Sequence, residues 1–89
     1  MSYNKVGDVL VAQGNLAEAL KAYRDGLRIA ERLAKADPQN AVWQADLASS
    51  HGKLGQLYVR LGDKAEARRM FERGRAIVAP FAERSGHQL

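Results

Sequence analysis

Shifted by 48 positions, this chain matches itself with ten identities across residues 5–34: Lys5/Lys53, Gly7/Gly55, Val11/Val59, Gly14/Gly62, Ala17/Ala65, Glu18/Glu66, Ala19/Ala67, Gly26/Gly74, Ile29/Ile77 and Ala34/Ala82. Conservative pairs such as Val6/Leu54, Val9/Leu57 and Tyr23/Phe71 fill the gaps. A fixed period of this size means stacked copies of one supersecondary unit, each too small to bury its apolar face alone. The chain's 89 residues hold two such copies, so it forms at most one small domain and must gain its stability from close packing.

Each copy reads as two helices. Tyr3, Val6, Gly7 and Leu10 recur at helical spacing, Gly14-Asn15 interrupts, and Leu16, Ala19, Leu20, Tyr23, Leu27 and Ala30 form a second stripe. Asp37-Pro38-Gln39-Asn40 ends that helix, because proline disfavours helical geometry in the residue before it and brings no N–H. A third stripe, Trp43, Leu47, His51, Leu54, Tyr58 and Leu61, leads to Gly62-Asp63 and a fourth helix in which Pro80 should kink or loosen the last turns. These spacings predict helices over 2–13, 15–36, 41–61 and 63–84. The expected architecture is all-α, a single domain of unit 1–38, unit 40–85 and a frayed tail 86–89.

Glycine inside a helix costs about 1 kcal/mol relative to alanine. Gly7, Gly26, Gly55 and Gly74 nevertheless fall inside predicted helices. Paired helices that cross too closely to admit a Cβ would explain all four, with Ala19 and Ala67 at matching close contacts.

Taken together these residues resemble the tetratricopeptide repeat family. The first-helix pattern of a large residue, Leu-Gly and a large aromatic looks like Tyr3, Val6-Gly7 and Leu10, then His51, Leu54-Gly55 and Tyr58. The turn glycine matches Gly14 and Gly62, and the small, aromatic, small series of the second helix matches Ala19, Tyr23, Gly26 and Ala67, Phe71, Gly74. The period of 48 exceeds the family's usual 34, and the expected proline is displaced to Pro38 and Pro80. The resemblance implies a right-handed superhelical solenoid of antiparallel helix pairs whose first helices line a concave surface binding a peptide or protein. It assigns Asn4, Asp8, Val11, Ala12, Gly52, Gln56, Val59 and Arg60 to that surface. The family's lysine, asparagine and arginine clamp for a terminal carboxylate is not reproduced.

Charge separates the two copies. Lys and Arg exceed Asp and Glu by 14 − 10 = 4, all of it in residues 49–89, which hold eight basic and four acidic groups against six and six before them. Leu16, Leu20 and Leu27, placed to stack on a following helix, become Lys64, Arg68 and Arg75. Burying three unpaired cations would be prohibitive, so this face is expected to meet water as the cap of a stack. The register also places the counterpart of Ala41–Ser49 ahead of residue 1. That predicts the C-terminal end of a longer array, a small protein with a short first helix being the alternative. In either case the apolar edge of the first helix calls for cover, which a homodimer would supply.

Nucleic-acid binding through Lys64, Arg68, Arg69, Arg73 and Arg75 is the rival function. Against it, Glu66 and Glu72 stand one helical turn from Arg69, Arg68 and Arg75, and no aromatic interleaves the cations for base stacking. Enzymatic chemistry has no motif to stand on. His51 lies on a core stripe, Ser49, Ser50 and His51 point in different directions on one helix, and Gly52-Lys53 lacks the rest of a phosphate loop. With no cysteine and only His51 and His87, far apart, neither a metal site nor a cofactor is expected. No apolar run reaches the ~20 residues of a membrane span, and the lack of cysteine suits a reducing cytoplasm.

Overall fold

Two glycine turns, one in each copy, set the fold. The computed structural model describes residues 3–86, with side chains through Phe81. Helix α1 (Tyr3–Ala12) ends at Gly14 and helix α3 (Ala41–Arg60) at Gly62, and these glycines adopt φ of 79° and 83°. Such left-handed geometry favours a residue without a Cβ. The turns share one bonding pattern: Gly14 N–H donates to Val11 O and Asn15 N–H to Leu10 O, as Gly62 N–H does to Val59 O and Asp63 N–H to Tyr58 O. This double bond, six-to-one and five-to-two, is the Schellman closure of a helix end. It reverses the chain into helix α2 (Leu16–Ala36) and helix α4 (Lys64–Gly86).

The longer link between α2 and α3 is held by side chains. Asn40 Oδ1 accepts from Trp43 N–H at 3.1 Å and caps α3, while Gln44 Nε2 donates to Ala34 O at 3.1 Å near the end of α2. Helix ends leave carbonyls without partners, and Gln44 satisfies one of them. The resulting bounds lie within two residues of the sequence expectation. Ser2, assigned to the first helix, and His87 in the tail lie outside the described residues. Helix α4 continues through Pro80 to Gly86, two residues past its expected end at 84.

Consecutive helices pack as pairs, α1 on α2, α2 on α3 and α3 on α4, and α1 also approaches α3. The core is the cluster Ala19, Tyr23, Leu54, Leu57, Tyr58, Ala67 and Met70, against which Leu10, Val11, Leu16, Leu20 and Leu27 pack half-buried. The three α2 leucines thus lie half-buried against this core. Two expectations need correction. Leu61 is 44 % exposed, because it is the C-cap of α3 and lies past the last helical turn. Leu57, absent from the predicted stripe, is only 2 % exposed, because α3 lies between α2 and α4 and buries a wider face than a single stripe.

Gly7, Gly26, Gly55 and Gly74 mark close approaches between the helices. A Cβ on Gly55 would lie 2.7 Å from the Phe71 ring, and one on Gly7 would run into the Tyr23 ring. Gly26 faces Tyr3 Cβ at 2.8 Å, and Gly74 faces the Ala48 carbonyl oxygen at 3.2 Å and His51 Cβ at 3.5 Å. The same two contacts therefore recur at the 48-residue offset, glycine under aromatic and glycine under the large residue of the first helix. Tyr3 and Phe71 make these contacts while staying partly exposed at the rim.

Candidate interaction surface

Tyr23 shows how the α1 and α3 face is built. Its ring, 3 % exposed, passes over Gly7, and its hydroxyl donates to Asp8 Oδ1 at 2.5 Å. Lys53 of α3 reaches the same carboxylate, Nζ lying 3.1 Å from Oδ1 and 3.2 Å from Oδ2. One carboxylate thereby ties α1, α2 and α3 together. In the second copy Gln56 replaces Asp8 and Phe71 replaces Tyr23, so the hydroxyl disappears together with the carboxylate it would serve.

Electrostatics follow from this geometry. Burial pushes the Asp8 carboxyl up, but the bonds from Tyr23 and Lys53 and the lysine charge outweigh it, and the group titrates below its ordinary value. Burial, and then the adjoining carboxylate, push the Tyr23 phenol well up. The Asp8 carboxylate is thus paired within the protein, with Tyr23 and Lys53 as its partners.

The eight surface residues expected from sequence divide into three groups. Gln56, Val59 and Arg60 on α3 and Ala12 on α1 are exposed, and among the described residues Arg60 forms no ion pair. Asp8 is exposed but bound, and Val11 is half-buried against the core. Asn4 sits at the end of a groove, and Gly52 has open space where a Cβ would be. Lys53 is a surface residue outside the expected eight, although its identity with Lys5 at the repeat offset was a usable signal.

The groove is a cavity of about 400 Å³ beside the start of α1. Its floor is Gly26, Ile29, Ala30 and Leu33 of α2, its wall Trp43, Asp46 and Ser50 of α3, and its end Tyr3 and Asn4. Trp43 shares it with Ile29 and Leu33. Asn4 Oδ1 is buried there without a hydrogen-bond partner.

The outer face of α4 differs in kind. Lys64, Arg68 and Arg75 are all exposed, Arg68 lies 3.8 Å from Glu72 and Arg69 lies 3.3 Å from Glu66. Among the described residues no group of His, Cys, Asp and Glu is arranged to hold a metal, and no helix is long and apolar enough to cross a membrane.

A family model for the tetratricopeptide repeat matches residues 1–79. No curated protein and no solved structure matches the chain. Four helices in consecutive pairs, glycines at the crossings and this match over most of the sequence agree, and the chain belongs to the tetratricopeptide repeat family.

Proposed function

We propose that this chain is a non-enzymatic scaffold that binds a peptide or protein segment on the face shared by α1 and α3. The observation that carries the reading is that Gln56, Val59 and Arg60 lie exposed on this face while Asp8 and Lys53 beside them are engaged with each other. An amide, an aliphatic patch and one cation suit a segment with main-chain polar groups, an apolar side chain and an acidic residue. The family's general role as an interaction module supports it. The 48-residue unit makes the helices long, and the charged face of α4 suits the last pair of a stack. The edge of α1 that exposes Tyr3 and Val9 is where a second copy would add cover.

Selection from a random peptide library tests the reading. Enriched peptides should bind Val59→Glu and Arg60→Glu at least tenfold more weakly than the parent protein, and bind Arg68→Glu unchanged. Binding lost only with Arg68→Glu would place the site on α4. A ligand that proved to be a nucleic acid, with affinity falling steeply as salt rises, would replace this reading with the nucleic-acid one.

A further inference from the structure

We propose that His51 is a proton-operated release for α4: charging its imidazole frees α4 from α3 while α1, α2 and α3 stay together. The release is independent of the face shared by α1 and α3, since it concerns how the second helix pair is held.

The helices are not tied to one another equally. Polar bonds from Tyr23 and Lys53 to Asp8, from Arg24 Nη2 to the Tyr58 hydroxyl at 2.7 Å and from Gln44 to Ala34 O join α1, α2 and α3. The ion pairs of α4, Arg68 with Glu72 and Arg69 with Glu66, stay within α4. Among the described residues α4 packs on α3 alone, so it can leave without parting any other pair. Close packing holds it, with Ala67 and Met70 in the core, Phe71 over Gly55 and Gly74 at the crossing with α3.

His51 sits at that crossing. It is 5 % exposed, and its Nδ1 is buried without a hydrogen-bond partner. A Cβ on Gly74 would lie 3.5 Å from His51 Cβ and 3.2 Å from the Ala48 carbonyl oxygen. In an imidazolium both ring nitrogens are donors, and a buried donor needs an acceptor or water. At Nδ1 the closed crossing supplies neither. Burial therefore holds the imidazole below its ordinary value of 6.5, Glu31 of α2 opposing and Arg73 of α4 assisting. A proton on His51 is thus attracted by α2 and repelled by α4. On α3 itself the residues one turn away, Leu47, Ala48, Leu54 and Gly55, carry no charge, and Asp8 of α1 is paired with Lys53. Release of α4 returns the ring to its ordinary value, so closure is intact above pH 6.5 and weakens as pH falls below it. One proton limits the change to about tenfold per pH unit.

Amide hydrogen exchange on the intact chain, without ligand, tests the proposal from about pH 7.5 down to about pH 5, with intrinsic chemical rates divided out. A lone helix of this length is marginal in water, so release registers as exchange. Amides of residues 67–74 should lose protection below pH 6.5 by up to about tenfold per unit, while those of residues 19–30 keep theirs. His51→Phe should abolish the pH dependence in α4. Two exposed positions give a second check should that variant fail to fold: Arg73→Gln should shrink the acid loss and Glu31→Gln should enlarge it. Equal loss of protection in α2 and α4 would mean global unfolding and overturn the proposal. Acid loss that survives His51→Phe, or that does not move in opposite directions in the two charge variants, overturns it as well.

Discussion

Gly7 and Gly52 look alike in sequence and opposite in the structure. Both interrupt helices, but Gly7 lies under the buried Tyr23 ring, and Gly52 has nothing within 4 Å of where its Cβ would sit. Gly52→Ala should therefore stabilise the fold by about 0.5–1 kcal/mol through helix propensity alone. Gly7→Ala should destabilise it by about 1–3 kcal/mol, since Tyr23 is pinned by Asp8 and cannot swing away. Urea melts of the two variants would show opposite shifts in midpoint. His51 makes a second prediction. Burial holds its imidazole below the ordinary value of 6.5, Glu31 opposing and Arg73 assisting, and Nδ1 is buried without a partner. The unfolded chain takes up the proton first, so this contribution is intact above pH 6.5 and declines as pH falls below it. In His51→Phe, which keeps a large residue at the position of Tyr3, the stability loss below pH 6.5 should flatten, as pH-dependent melts would record. Asp8 acts separately, its contribution being present above the ordinary carboxylate value and lost at more acid pH.

The helices themselves were legible because each boundary has a local cause. Left-handed glycines and the Asp37-Pro38 break act within a few residues, so sequence alone locates them. Caps were less legible. Asp63 Oδ1 accepts from Glu66 N–H at 3.1 Å, but Asn15, its counterpart, makes no side-chain cap bond. Asp63→Ala should thus cost about 1 kcal/mol and Asn15→Ala no more than a few tenths, measured by thermal melts of both variants. The single stripe expected on α3 is too narrow for a related reason. A periodic stripe describes a helix with one neighbour, and α3 has two large ones, so Leu57 is buried as deeply as Leu54.

For the whole molecule, the repeat predicted the pairing of helices and the close crossings, since a glycine that lowers helix propensity twice at the same offset needs a packing reason. The Asp8, Tyr23 and Lys53 junction was not legible, because it depends on how α1 and α3 lie side by side rather than on either helix. The groove beside Tyr3 depends in the same way on three helices at once. The charged outer face of α4 yields a whole-molecule prediction. Arg68→Leu with Arg75→Leu would restore leucine-like stacking surface, and sedimentation should show self-association at high concentration with the helical content unchanged.

Chemical-shift mapping of a library-selected peptide on the labelled chain tests the central claim most directly. The account predicts perturbations concentrated at Gln56, Val59 and Arg60, with Arg68 and Arg75 unmoved. Perturbations confined to the outer face of α4, with Val59 unmoved, would contradict it.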